Sequence, residues 1–167
     1  YYKIKDAEKD VILNKDFFKL YKKFCPGPIT FILKKDKKSK INKIATANLN
    51  TVAIRFPSHF VIRSILRKIN FPLAMPSANI SSGLSPISAY DVFEEFKKKL
   101  KFIINGGRSK IGIESTVIDL TGKPRLLRPG IISRNDIKKF VKTNFSKKKS
   151  EIKSPGMLKK HYSPGIP

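Results

Sequence analysis

The run "ITFILKK" (Ile29–Lys35) constrains the fold more than any other stretch. It follows "CPGP" (Cys25–Pro28), whose prolines stop a helix, and it is continuously apolar rather than alternating. An unbroken run of this length, rich in β-branched and aromatic side chains, reads as a buried strand. The segments around it read as its partners and its cover. Asn14 is placed to cap a helix over "KDFFKLYKKF", with Phe17, Leu20, Tyr21 and Phe24 on one face. Beyond a lysine-rich loop, "TVAIRF" reads as a second strand. Ser58 is then placed to cap a helix whose apolar stripe is Val61, Ile62, Ile65, Leu66 and Ile69. "PLAM" (Pro72–Met75) reads as a short core strand. Ser88 with Asp91 makes a capping box for a helix from Ala89 to Leu100. "KFIIN" (Lys101–Asn105) reads as another strand, and "STVIDL" and "PRLLRPG" as a hairpin about Thr121–Pro124. Ser133 with Asp136 caps a last helix. Strands and helices alternate early and strands pair locally late, which predicts an α/β (mixed α+β) fold: a twisted mixed open sheet with packed helices.

A chain of 167 residues can bury a substantial core, and no apolar run approaches the ~20 residues of a membrane helix. No signal-peptide pattern is present. The chain opens on Tyr1 rather than methionine, so it is expected to be a piece of a longer polypeptide. Cys25 is the single cysteine, which excludes an internal disulfide and any multi-cysteine metal site. With His59 and His161 as the only histidines, no metal centre is expected, and a reducing, cytoplasmic compartment follows. Cys25 sits at the end of a helical pattern with no base in view and is not read as a nucleophile. After Asn144 the apolar periodicity stops: "FSKKKSEIKS" reads as a charged linker. The tail "PGMLKKHYSPGIP" instead looks built to dock.

The formal net charge of +24 suggests affinity for polyanions. Most of it is lysine, 29 against seven arginines, and runs such as Lys147–Lys149 read as solvated loops. The scarce arginines say more. Arg55 lies inside "TVAIRF" and Arg128 directly precedes Pro129-Gly130. A buried guanidinium must find a partner or face a cavity. The two are expected to face one shared cavity as an anion site, with structural salt bridges as the alternative. The loop "FPLAMPSANISSGLSP" ends an apolar run in small and polar residues, where α/β folds hold ligands. Ser77 and Asn79 alternate in it; with Ser85 and the backbone N–H groups ahead of Ser88 they form a row of donors suited to phosphate or carboxylate. There is no Walker-type loop and no Gly-x-Gly-x-x-Gly, so a nucleotide would be bound by another geometry.

Six blocks in order, "PGPITFIL", "TVAIRFP", "MPSANISSGLSP", "ESTVIDL", "LLRPG" and "SPGMLKKHYSP", resemble the YrdC-type threonylcarbamoyl-AMP synthases. The last block is similar to the linker of the longer members, which carry a second C-terminal domain. The resemblance implies a nucleotidyltransferase that joins L-threonine, bicarbonate and ATP into threonylcarbamoyl-AMP and pyrophosphate. ATP, with Mg²⁺, would be a substrate, and no tightly bound cofactor is implied. The product feeds the tRNA threonylcarbamoyl transferase machinery, and no membrane is involved. By motif, Thr51, Ser77, Asn79, Ser85 and Arg128 would line the ATP side, with Tyr162 closing over the nucleotide; the tail is expected to fold back over the mouth of the cavity, with His161 supporting its turn. Arg55, Met75 and Ser115 would hold threonine. Residues 1–144 would be a partial YrdC-like catalytic domain and 145–167 a linker toward an absent C-terminal domain. The family's opening strands, with a Thr-x-Tyr-Gly-Leu-like stretch and a Lys-x-Arg phosphate motif, have no counterpart here. Two other readings compete. One is a non-catalytic YrdC-like module that binds tRNA or double-stranded RNA. The other is a YrdC-like domain of a hydrogenase-maturation carbamoyltransferase, against which the "SPGMLKKHYSP" block argues.

Overall fold

The computed structural model describes residues 1–80 and 83–142. The expected linker, His161 and Tyr162 lie outside the described residues. Four strands form one mixed sheet: β1 (Ile29–Lys34), β2 (Thr51–Arg55), β3 (Thr116–Asp119) and β4 (Arg125–Arg128), in the order β2-β1-β3-β4. β1 runs antiparallel to β2 and parallel to β3, and β3 pairs antiparallel with β4. β1 is therefore hydrogen-bonded on both sides, as its unbroken apolar run predicts, and Phe31 and Leu33 are fully buried. The helices are α1 (Ile4–Ala7), α2 (Lys15–Phe24), α3 (Phe60–Ile69), α4 (Ala89–Phe96) and α5 (Arg134–Lys138).

The described residues divide into two compact units. One is Tyr1–Ala74 with the described residues from Ile113 onward, and the other contains Met75–Gly112. The first unit holds the whole sheet and the core. Ile29, Phe31, Leu33, Val52, Ile54 and Ile118 project from one face of the sheet into a cluster with Phe17, Leu20, Phe56 and Ile137. Phe17 of α2 sits at its centre, 5.0 Å from the Phe31 ring in an edge-on contact that suits aromatic quadrupoles. Asn14 caps α2 as its position predicts: its Oδ1 accepts from the Phe17 N–H at 2.9 Å, while its Nδ2 donates to the Leu120 carbonyl. One side chain thus starts the helix and ties it to the end of β3.

Both capping boxes form, at Ser88–Asp91 and Ser133–Asp136. Several expectations are corrected. Ser58 does not cap α3; the cap position is His59, whose side chain makes no capping bond to the helix. α4 stops at Phe96 instead of Leu100, because Lys97 turns to φ 45° and the next residues tighten into a 3₁₀ turn. "PLAM" and "KFIIN" are not strands. A strand needs a neighbour to take its backbone hydrogen bonds, and among the described residues neither finds one. Leu73, Met75, Phe102 and Ile104 are accordingly exposed. α1 has no counterpart in the sequence reading; at four residues it is below the length at which periodicity shows.

Two predictions follow from this packing. Gly130 lies against the entry to β3, where a Cβ would stand 2.5 Å from the Thr116 nitrogen and 2.7 Å from the Glu114 oxygen. Gly130→Ala is expected to destabilise the fold by about 1–3 kcal/mol, as overpacking against backbone does, read as a lower urea midpoint; an unchanged midpoint contradicts this packing. In α4 the Asp91 carboxylate accepts from the Ile87 and Ser88 N–H groups at 2.9 and 3.0 Å. The Ile87 bond, then the Ser88 side chain, holds its pKa below the ordinary aspartate value. A carboxyl depressed on folding stabilises the helix start above that ordinary value and loses the effect as pH falls through its lower folded value. The Ile87 and Ser88 amide NMR shifts are expected to titrate with a midpoint below that of an ordinary aspartate and to lose this transition in Asp91→Asn. A midpoint at or above the ordinary value rules the cap's contribution out.

Candidate functional site

The sheet face away from the core carries a polar row. Residues directly opposed across a sheet point to the same face. Arg55 opposes Thr30, Thr30 opposes Val117, and Val117 opposes Arg128, so the polar members stand on β2, β1 and β4 with the apolar Val117 between them on β3. Ser115, two residues before Val117, joins it: its Oγ lies 2.8 Å from Thr30 Oγ1. Arg128 donates from Nε to the Ser115 carbonyl at 3.0 Å and from Nη2 to the Ser115 Oγ at 3.1 Å. The expectation that Arg128 would face a cavity without an acidic partner is corrected, because its Nη1 is ion-paired with Glu114. That pair is mostly buried, and a guanidinium placed so needs a countercharge.

Arg55, at the other end of the row, donates from Nε to the Gly27 carbonyl at 3.2 Å. It is exposed by area, yet its neighbours crowd its head enough that desolvation lowers its pKa, with Cys25 acting in the opposite direction. An arginine has so much margin that it stays a cation. Burial pushes the nearby Cys25 thiol up to about 12 despite the Arg55 charge. A thiol that high carries almost no thiolate at neutral pH, in line with the reading that Cys25 is not a nucleophile. Thr51 lies on the same face as Arg55, four residues and about 13 Å along β2, opposite Lys34.

The structure therefore gathers Arg55, Ser115 and Arg128 at one end of one sheet face, with Thr51 further along it. Met75, Ser77, Asn79 and Ser85 belong to the second unit. There, Ser77 and Met75 are exposed and Ser85 is half-buried. Asn79 folds back on its own loop, donating to the Ile80 and Gly83 carbonyls at 2.9 and 3.0 Å, and its Oδ1 is buried without a partner. The expected row of backbone donors is narrower than the sequence suggested: Asp91 takes the Ile87 and Ser88 amides, and Glu95 takes that of Ile80. Tyr162 lies outside the described residues. The sequence reading missed Thr30 and assigned Glu114 no role at the site. Thr30 is the lone hydroxyl in an apolar strand, a signal that one position of β1 serves a polar neighbour. Among the described residues no cluster of histidine, cysteine or carboxylate side chains could hold a metal ion by itself, and no helix is long and apolar enough to cross a membrane.

Comparison with known proteins gives this arrangement a context. The chain is 41% identical over 152 residues to the threonylcarbamoyl-AMP synthase of Pyrococcus abyssi, covering 87% of this chain and 44% of that protein. It is 38% identical to that of Bacillus subtilis, covering 89% of this chain and 44% of the relative. A crystal structure of P. abyssi Sua5 complexed with L-threonine superposes with a TM-score of 0.87 at 38% identity, over 97% of this chain and 49% of that one. The chain thus spans about half the length of the relatives it matches. The family Sua5_yciO_yrdC, described as telomere recombination, matches residues 1–130. With more than half its residues matched, and the mixed sheet expected of it in place, the chain belongs to the Sua5/YciO/YrdC family.

Proposed function

We propose that this chain forms part of an L-threonylcarbamoyladenylate synthase, a nucleotidyltransferase that acts in the cytoplasm on L-threonine, bicarbonate and ATP. The observation that carries the reading is the pair of guanidinium groups, Arg55 and Arg128, on one sheet face with Thr30 and Ser115 between them. Threonine presents a carboxylate, an amine and a hydroxyl, and ATP presents a polyphosphate. A row of two hydroxyls flanked by two cations meets both needs. The Pyrococcus relative crystallised with L-threonine supports the amino-acid half of the assignment.

In this reading the threonine amine and bicarbonate condense to a carbamate, releasing water. A carbamate oxygen then attacks the α-phosphorus of ATP, and the bond to the β-phosphate bridging oxygen breaks to release pyrophosphate. Arg55 holds the threonine carboxylate, and Ser115, with Met75, places the amino acid. Thr51, Ser77, Asn79, Ser85 and Arg128 serve the nucleotide, and Tyr162 closes over it. No general base stands in the row, so the chain's contribution is positioning and charge stabilisation. Mg²⁺ fits as a companion of the phosphates, which is how it is commonly held; the nearest carboxylate of the row, Glu114, is committed to Arg128. Residues 1–144 would be the catalytic part and 145–167 the linker. The product would pass to the machinery that modifies tRNA.

The test uses the natural polypeptide that contains this chain. Threonine- and bicarbonate-dependent release of pyrophosphate from ATP is the expected activity. Arg55→Ala is expected to raise the KM for threonine roughly 10- to 100-fold, the worth of a hydrogen bond to a charged group, with a smaller change in the KM for ATP. A threonine KM unaffected by the substitution removes Arg55 from the site, and pyrophosphate release that ignores threonine overturns the reaction.

A further inference from the structure

β1 carries a hydroxyl to which the proposed reaction gives no task. Thr30 is the lone polar residue among Ile29–Leu33, and it stands directly opposite Arg55 on β2. Residues so opposed share a sheet face with their Cβ atoms about 4.5–5.5 Å apart. On its other side the Thr30 Oγ1 lies 2.8 Å from the Ser115 Oγ, its side-chain partner among the described residues. Thr30 thus links the cation at one end of the polar row to the hydroxyl at the other.

Arg128 decides which way the hydrogens run along this link. A guanidinium only donates, so the Ser115 oxygen accepts from Arg128 Nη2 at 3.1 Å. Arg128 Nε grips the carbonyl of the same residue at 3.0 Å, and Ser115 is only 7% exposed. A cation that donates to a hydroxyl oxygen polarises it and strengthens that hydroxyl as a donor in turn. The cooperative order therefore runs one way. Arg128 donates to Ser115, Ser115 donates to Thr30, and the Thr30 hydrogen is the one left over. Each hydroxyl has one hydrogen and two lone pairs, so the same order leaves Ser115 a lone pair for an incoming N–H. Thr30 is β-branched and stiff about χ1, and β1 is hydrogen-bonded on both sides. Its oxygen is accordingly a fixed peg beside Arg55.

We propose that Thr30 is a binding residue for the amino-acid substrate, donating its hydroxyl hydrogen to one oxygen of the carboxylate that Arg55 holds. The proposal rests on the assignment of L-threonine to this end of the row. Arg55 supplies the charge there, and Thr30 supplies a direction. A hydroxyl that donates to a carboxylate makes one of the shorter and stronger hydrogen bonds. Arg128, at the far end, already has Glu114 as its anion, and reaches the carboxylate only through the two hydroxyls.

The experiment is a ligand-observed NMR titration, which reads weak as well as tight binding, on the natural polypeptide that contains this chain. The ligands are L-threonine and L-threoninol, in which a neutral alcohol replaces the carboxylate. Thr30→Val keeps the branched shape and removes the hydroxyl. It is expected to weaken L-threonine roughly 10- to 100-fold, one hydrogen bond to a charged group, and L-threoninol much less. Thr30→Ser, which restores the donor, is expected to recover most of the affinity. Because the valine variant leaves the Ser115 hydrogen without its acceptor, Thr30→Ala, with room for a water there, is measured beside it. Each variant is checked by its thermal midpoint. Threonine affinity unchanged in both variants, while Arg55→Ala weakens it, overturns this proposal and leaves the reaction standing. Equal losses for L-threonine and L-threoninol, or loss of the fold in both variants, make the hydroxyl structural and overturn it too. An unsubstituted protein that does not bind L-threonine overturns the proposal and the proposed reaction together.

Discussion

The parallel pairing of β1 with β3 is the constraint on which the rest depends. Ile29 to Ile32 run alongside Thr116 to Asp119, and parallel neighbours cannot be joined by a tight turn. Everything between them in sequence becomes a crossover. That crossover contains β2, which folds back onto the free edge of β1, then α3, and the whole Met75–Gly112 unit. The same pairing brings Ser115, just ahead of β3, beside Thr30, just inside β1. The polar row is therefore a by-product of register. A slip of one residue would send Thr30 into the core and Phe31 out of it.

Within that row the Ser115 residue has an unusual concentration of duties. Its hydroxyl meets both Thr30 and Arg128, and its carbonyl takes a further bond from Arg128. A guanidinium held by a backbone carbonyl, a hydroxyl and Glu114 has little freedom to rotate, which is what bidentate recognition requires. The same arrangement has a chemical consequence. A phosphate approaching Arg128 has to share that guanidinium with the Glu114 carboxylate, and two anions at one cation repel. Glu114 thus tempers the anion affinity of this end of the row, whereas Arg55, held by a neutral carbonyl, keeps its full charge for a ligand. That asymmetry fits a carboxylate at Arg55 better than at Arg128.

How much of this was legible in the sequence varied with how local the cause was. The helix caps at Asn14, Ser88 and Ser133 were readable because a short side chain meets its own helix within three residues. β1 was readable because burial on both faces leaves an unbroken apolar run. Arg55 and Arg128 were readable as exceptions inside strands. "PLAM" and "KFIIN" were misread because an apolar segment becomes a strand only if a neighbour offers a ladder, and composition does not carry the neighbour's address. The Arg128–Glu114 pair and the use of the Ile87 amide by Asp91 were missed for a related reason. Each acid sits close in sequence to groups already assigned elsewhere, and only geometry decides which partner it takes.

The charge balance offers a way to read such a chain that residue counts alone do not. With 36 basic and 12 acidic residues, an acid that persists is more informative than a lysine that accumulates. Asp10 holds the Tyr1 and Ser39 hydroxyls, Asp91 and Asp136 close capping boxes, and Asp119 fixes Thr121 and Arg125 across the β3–β4 turn. Glu95 takes the Ile80 amide and Glu114 takes Arg128. These acids act at short range, through hydrogen bonds that water does not replace well, whereas surface lysines act through a field that salt screens within about 10 Å. Net charge therefore governs what the molecule meets in solution, and the few acids govern what it is. The arginines lie between these two roles: Arg125 and Arg128 are paired with acids and became structure, and Arg63 did so through the Pro57 carbonyl and the Tyr2 ring.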